Sequence, residues 1–146
     1  MIILRPYTNN DFQLMNKFFP ATEIGKYTNI GKYKLLSLLG IYKSYFMLLI
    51  DNEQVIGCGV IRHKWSREVQ RKGWWLYAIW INPIHRGNGY GKILMQKLLF
   101  EVKKRQIKQI GLTVDENNLV ARNLYKKIGF VEIGQSEQQI IMQYDL

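Results

Sequence analysis

The chain has 146 residues, of which 47% are hydrophobic and 22% charged, and its formal net charge is +10. This length predicts one domain, residues 1–146, and the composition excludes disordered and fibrous proteins. The single cysteine, Cys58, excludes a disulfide framework and a cysteine-based zinc site, and its apolar neighbours favour a buried structural thiol. A charge this basic favours an anionic partner, which is a nucleic acid, a membrane surface or a phosphorylated ligand.

The positive charge is concentrated in the middle third of the chain. Residues 62–108 contain twelve basic side chains and two acidic ones, so this segment alone carries +10. No apolar run approaches the roughly 20 residues of a membrane helix. Residues 1–6 lack the charged region and long apolar core of a signal peptide. We therefore expect a cytoplasmic protein with no membrane partner.

Apolar runs and helical periodicity predict an α/β domain with a mixed sheet. In the first half, the apolar run 2–5 predicts a strand, and segment 8–39 predicts two helices separated by Pro20. The β-rich runs 45–50 and 55–63 flank a polar turn and predict a hairpin.

The second half begins with a polar, basic segment, 64–73, that is predicted to be a connection. Residues 74–81 are almost wholly apolar and aromatic, which predicts a central strand buried on both faces. A glycine-rich loop, 85–91, follows it. The remaining predicted elements are an amphipathic helix near 93–102, a strand at 110–114, a helix from the N-cap Asn118 to Ile128 ended by Gly129, and strands at 130–133 and 139–144.

The glycine-rich loop has the properties of a phosphate-binding cradle. Gly87, Gly89 and Gly91 remove Cβ atoms and allow the positive φ angles at which successive N–H groups converge. The helix that follows adds unsatisfied N–H groups and a partial positive charge. A P-loop is excluded because no Ser or Thr follows Lys92, and the glycine spacing excludes a dinucleotide fingerprint.

Two motifs make the chain resemble the GNAT superfamily of N-acetyltransferases. The first is Arg-x-x-Gly-x-Gly over residues 86–91, preceded by an apolar-x-Pro step at 81–83. The second is Asn-x-x-Ala over 118–121, followed by Leu-Tyr-x-x-x-Gly-Phe over 124–130. The resemblance implies a GNAT-like acyltransferase fold, with a central twisted mixed sheet of about seven strands and about four flanking helices.

The resemblance also implies a function and a site. The function is transfer of an acetyl group from acetyl-coenzyme A to a primary amine of a small molecule or a protein, without a metal. Tyr125 would protonate the departing thiolate, Asn118 would bind the cofactor arm, and Arg86 would either contact a phosphate or brace the loop. No nucleic-acid partner is expected, and a homodimer is allowed. The implied cofactor-binding residues are Trp80, Ile81, Arg86, Gly87, Asn88, Gly89, Tyr90, Gly91, Lys92 and Asn118.

One departure from the family leaves alternatives open. Many relatives carry a glutamate on the strand that leads into the loop, whereas residues 73–81 contain no carboxylate. A catalytically silent acyl-coenzyme A-binding regulatory protein is therefore one alternative function, and a basic nucleic-acid-binding module is another, although it lacks a recognised nucleic-acid motif. The base is either absent, if the amine arrives neutral, or one of Glu23, Glu53, Glu116, His63 and His85.

Part of the positive charge is interpreted as long-range attraction for the phosphates of coenzyme A. The basis is that segment 62–108 contains the glycine-rich loop, its helix and the basic connection 64–73. Lys103 to Lys108, far along the helix, are expected to face solvent.

Overall fold

A computed structural model describes residues 1–11, 13–14 and 43–146. Within these residues, seven strands are joined into one sheet in the order β1-β2-β3-β4-β5-β7-β6. All neighbouring strands are antiparallel except β4 and β5, which are parallel, so the predicted mixed sheet is confirmed. The elements are β1 (Ile2–Pro6), β2 (Ser44–Asp51), β3 (Gln54–Ser66), β4 (Arg71–Ile81), α1 (Tyr90–Lys104), β5 (Gln109–Asp115), α2 (Leu119–Ile128), β6 (Val131–Ser136) and β7 (Gln139–Asp145).

The clearest difference from the sequence-based expectation concerns residues 64–73. They form no long connection, because β3 continues to Ser66, β4 begins at Arg71, and four turn residues join them. The central strand was also expected to be buried on both faces, but most of its residues from Tyr77 onward are only half-buried. The cause is that β5 separates from β4 after a single register pair, as described below.

The two helices expected within residues 8–39 lie almost entirely outside the described residues. Only residues 8–11, 13 and 14 of that segment are described, and Asn9–Asp11 form a short 3-10 turn. The described part of the chain has two α-helices where the resemblance implied about four. None of its helices is long and apolar enough to cross a membrane.

Both α-helices pack on one face of the sheet, as their apolar periodicity requires. In α1 the buried residues recur at helical spacing, from Leu94 to Val102. In α2 the predicted caps are confirmed, since the Asn118 side chain accepts a hydrogen bond from the Ala121 N–H at 3.2 Å and Gly129 follows the last turn at φ +124°. The opposite face carries a second apolar cluster, which includes Phe46, Leu48, Val60, Cys58 and Trp80.

Candidate active site

The site begins where the parallel strands β4 and β5 separate. Within the described chain these strands share one register pair, Trp75 with Gly111, although both continue well beyond it. The Trp75 ring lies across Gly111 so closely that a Cβ at position 111 would be 2.6 Å from its Cζ3 atom. Glycine is therefore required here to let the ring lie on β5. Beyond the pair, the described parts of β4 and β5 form no further register pair.

A β-bulge in β4 lies beside this gap. Between Cys58 and Val60 β3 has one residue, whereas between their partners Trp80 and Tyr77 β4 has two. One of the two, Ala78, has φ +50°, which is uncommon for a residue with a Cβ. The thiol of Cys58 donates a hydrogen bond to the Ala78 carbonyl at 3.3 Å, so the buried cysteine helps to hold the bulge.

The bulge exchanges the two faces of β4. Before it, Leu76 packs toward the α-helices; after it, Ile79 and Ile81 take that side, and Trp80 packs into the cluster on the opposite face. Without the extra residue, strict alternation would place Trp80 on the same face as Leu76. The bulge thus determines which groups at the end of β4 line the gap.

The glycine-rich loop is built to accept an anion. Gly87 and Gly89 have φ +79° and +81°, and a Cβ at either position would meet no atom within 4 Å. Open space therefore lies beside the backbone where α1 begins, with Gly89 as its N-cap. Such a cradle fits the pyrophosphate of a coenzyme, because free N–H groups and a helix N-terminus face a site that no side chain fills.

Three side chains brace the loop from within. The side-chain oxygen Oδ1 of Asn82 accepts a hydrogen bond from the Ile84 N–H at 3.3 Å, and the Asn88 side chain donates to the His85 and Arg86 backbone carbonyls at 3.2 Å. Arg86 Nε donates to the Ile81 carbonyl at 2.9 Å. Of the two roles considered for Arg86, bracing is therefore visible in the structure, and phosphate contact stays a prediction.

The end of β4, the glycine-rich loop and α2 line one cleft of about 550 Å³. It brings together ten of the eleven residues that the sequence assigned to catalysis or cofactor binding, and only Asn88 is absent from its lining. Their individual roles remain predictions. The lining also includes residues that sequence reasoning missed, Ile79, Val120, Ala121 and Leu124. Helical spacing from Asn118 and Tyr125 could have indicated the three on α2, whereas Ile79 depends on the bulge.

Tyr125 lies in this cleft with 7% of its surface exposed. Helix α2 carries it, and its ring packs against Phe130 with centroids 6.0 Å apart. Burial raises the pKa of the Tyr125 phenol to about 12, because the charged phenolate would lose its solvation. The hydroxyl therefore keeps its proton throughout the physiological range.

The family follows from residues 12–130, which match the model of the acetyltransferase (GNAT) family. This chain belongs to that family. It is 38% identical over 85 residues to the [ribosomal protein bS18]-alanine N-acetyltransferase of Haemophilus influenzae. The match covers 58% of this chain and 53% of that protein, so the chain spans about half the length of this curated relative.

Solved structures of GNAT proteins share the fold. The ribosomal-protein-alanine N-acetyltransferase of Brucella melitensis is 18% identical, with a TM-score of 0.76 and coverage of 99% of both chains. The PaiA N-acetyltransferase of Thermoplasma acidophilum, solved with coenzyme A, is 17% identical, with a TM-score of 0.74 and coverage of 100% of this chain and 99% of that one. These likenesses confirm the predicted GNAT-like sheet.

The candidate bases of this GNAT protein are spread over the molecule. His85 lines the cleft and its ring meets Tyr90 edge-on at 5.9 Å, whereas Glu53, Glu116 and His63 do not line it, and Glu23 is outside the described residues. Within the described residues, no three His, Cys, Asp or Glu side chains are grouped so that they could hold a metal ion.

Proposed function

We propose that this protein transfers the acetyl group of acetyl-coenzyme A to a primary amine. The observation that carries the proposal is that a buried, fully protonated phenol, Tyr125, and an open glycine cradle line the same cleft. The coenzyme supplies an activated thioester. A protein that only held the coenzyme would need the cradle but not a buried proton donor beside the gap.

In this proposal the chain has three tasks. The N–H groups of the loop around Gly87 and Gly89 bind the pyrophosphate, and free backbone groups near Ile81 bind the arm and polarise the thioester carbonyl. Tyr125 Oη–H donates its proton to the sulfur as the carbon–sulfur bond breaks. The phenolate left behind, with a pKa of about 12, is basic enough to take the proton that the acylated nitrogen must lose.

For an amine that arrives neutral, this proton return makes a strand carboxylate unnecessary. The amine loses one proton and the thiolate gains one, and Tyr125 ends each turnover protonated as it began. Bringing the amine next to the thioester would supply much of the acceleration, because a held pair of reactants reacts far faster than a free one. The absence of a carboxylate from residues 73–81 is compatible with catalysis on these terms.

For the acceptor, we propose the α-amine of a peptide or protein. The support is the relative from Haemophilus influenzae, whose name places its action on the alanine of a ribosomal protein. A thiol-release assay should therefore compare peptides that begin with alanine against free amino acids, polyamines and amino sugars. Faster release with the peptides is the expected result, and a clear preference for a small amine would replace this acceptor.

The mechanism is tested by Tyr125→Phe, with Tyr144→Phe as the matched control. Tyr144 also packs against Phe130, with ring centroids 5.3 Å apart, but it lies outside the cleft. Loss of a general acid should lower turnover roughly 10²- to 10⁴-fold for Tyr125→Phe. Coenzyme affinity measured by calorimetry should stay close to wild type, and the control should retain its turnover.

Two results would contradict the proposal at different points. Unchanged turnover in Tyr125→Phe removes the phenol from the mechanism but leaves acetyl transfer standing. Tight coenzyme binding with no thiol release on any amine would instead favour the catalytically silent alternative, which the missing strand carboxylate also supports.

A further inference from the structure

Most of the basic side chains of segment 62–108 lie at the end of the molecule away from the coenzyme cleft. The β3–β4 hairpin carries five basic side chains between residues 62 and 72, at the start of β4, whereas the glycine-rich loop follows the end of β4. Along β4, Arg71 lies about 33 Å before Ile81, and Arg62, which pairs with Trp75, lies about 20 Å before it, since a strand rises about 3.3 Å per residue. Charges interact weakly over these distances, because physiological salt screens them within about 8 Å.

The end of α1 adds four more basic side chains, those between residues 103 and 108, to the same region. The placement is fixed by contacts, because the Arg105 guanidinium lies 4.3 Å from the Tyr45 ring centroid, and Tyr45 stacks on Trp74 of the hairpin. The helix therefore runs back from the loop toward the hairpin. We call the basic side chains of residues 62–72 and 103–108 the basic pole.

This placement changes the interpretation of the positive charge as attraction for the phosphates of coenzyme A. Nine of the twelve basic side chains in segment 62–108 belong to the basic pole, and three, Arg86, Lys92 and Lys97, do not. The acidic side chains of the segment are Glu68 and Glu101, and Glu101 is already paired with Lys104 and Arg105. Attraction of the coenzyme does not account for a pole this far from the cleft.

An aromatic surface adjoins part of the basic pole, because Lys72 shares its face, whereas Arg62, Lys64 and Arg71 alternate onto the opposite face of the hairpin. The Trp65 side chain is 51% exposed, and Trp65 lies directly opposite Lys72 in the hairpin, so the two share a face. The same face carries His63 and Trp74, whose rings meet at 5.1 Å. An exposed indole leaves a large apolar surface in water, which is unfavourable unless a partner covers that surface.

We propose that the basic pole binds single-stranded nucleic acid, with Trp65 as a stacking platform for a base. A polyphosphate chain with unstacked bases needs both elements that the pole offers, several spaced cations and a flat aromatic face. An acidic protein would use the cations but not the indole. A lipid surface would require several apolar side chains at the hairpin tip, whereas Val69 is the one apolar residue of the turn, beside Arg67, Glu68 and Gln70.

The proposal replaces the expectation of no nucleic-acid partner and is independent of the proposed function. The pole and the coenzyme cleft share no residues. Coenzyme and nucleic acid should therefore bind together, and acetyl transfer can fail while nucleic-acid binding stands, or the reverse.

The test is fluorescence anisotropy with labelled 20-nucleotide oligo(U) RNA and oligo(dT) DNA over a range of salt concentrations. The double variant Arg67→Gln/Lys72→Gln removes two cations of the pole, and Lys126→Gln/Lys127→Gln removes two exposed cations of α2 as a control with equal net charge. For single strands the slope of log affinity against log salt should fall by about 1.4 in the pole variant, at roughly 0.7 per lost phosphate contact. The control should keep the wild-type slope.

Trp65→Ala separates stacking from charge. It should weaken binding roughly 5- to 150-fold while leaving the salt slope unchanged, as expected for one lost base contact. Saturating coenzyme A should leave the affinity unaltered. Binding of either RNA or DNA supports the same site, and the ratio of the two affinities shows which nucleic acid is preferred.

Four outcomes would overturn the proposal. The first is no binding of the oligonucleotides at low salt, and the second is an equal loss of affinity in the pole and control variants. The third is displacement of the oligonucleotide by coenzyme A, which would place its binding on the glycine-rich loop. The fourth is equally tight binding of polyglutamate or phosphatidylserine vesicles that Trp65→Ala does not weaken.

Discussion

Gly57 of β3 controls how closely β3 approaches the end of β4. Gly57 pairs with Ile81, and a Cβ at position 57 would be 2.3 Å from the Trp80 carbonyl oxygen and 2.8 Å from Ile81 Cδ1. Ordinary contact begins at 3.4 Å, so Gly57→Ala must move the β4 backbone by about 1 Å. The displaced segment includes Ile81, whose carbonyl accepts the Arg86 hydrogen bond, and it leads into the glycine-rich loop.

We expect this displacement to weaken coenzyme binding strongly. A displacement of about 1 Å can cost about 10²-fold in the reaction rate at a positioned site. We expect a loss of similar size in coenzyme binding, so the Kd for coenzyme A should rise roughly 10- to 100-fold in Gly57→Ala. Overpacking should also lower the stability by about 1–3 kcal/mol. Calorimetry with coenzyme A measures the first effect without knowledge of the acceptor, and thermal unfolding measures the second.

Gly59→Ala is the matched control on the same strand. Its Cβ would be 2.7 Å from Leu98 Cδ1, a side-chain atom of α1 that can rotate, rather than from the β4 backbone. Gly59→Ala should lose stability to a similar degree but keep its coenzyme Kd within about threefold. Wild-type affinity in folded Gly57→Ala, or equal losses of affinity in both variants, would refute the assignment of the effect to β4.

Two further predictions concern single side chains. Asn118→Asp should keep the thermal stability, because a carboxylate also caps the Ala121 N–H. It should bind coenzyme A more weakly if the Asn118 amide donates a hydrogen bond to the coenzyme arm. An unchanged affinity for coenzyme A would leave Asn118 as a helix cap alone. Arg5 donates to both carboxylate oxygens of Asp11, at 2.8 and 2.6 Å, and holds the pKa of Asp11 at about 2. Because this pKa lies below the unfolded value, its stabilisation is present above about pH 4 and is lost as pH falls toward 2; Tm measured between pH 6 and pH 2 should show this loss in wild type and not in Asp11→Asn.

The parts of the fold that local chemistry determines could be predicted from the sequence. Helix α2 is an example, since its N-cap Asn118 and its terminal Gly129 act within one turn of the helix. The glycine-rich loop is another, because its positive φ angles at Gly87 and Gly89 depend on the residues themselves. Both features carry the family motifs, so the candidate site was predictable as a set of residues.

The geometry of the gap could not be predicted in the same way. The bulge at Ala78 has no local signature, because alanine does not favour φ +50° and only the pairing of β4 with β3 imposes it. The single β4–β5 register pair, at which the Trp75 ring lies over Gly111, joins residues that are 36 positions apart in the chain. The basic pole likewise depends on the direction in which α1 crosses the sheet.

Strand β4 links these features because it is paired mainly along one of its two edges. Nine register pairs join it to β3, from Gly57 opposite Ile81 to Ser66 opposite Arg71, whereas a single pair joins it to β5. A strand with an open edge keeps its shape only if its other edge is fixed, so the long β3 pairing is what allows the gap to exist. The same pairing extends β4 beyond β2, whose last partner on β3 is Arg62, and so carries Trp65 and the hairpin cations out from the sheet. One rigid hairpin thus positions the coenzyme edge at one end and the basic pole at the other, which is why substitutions at the pole should leave the cleft intact.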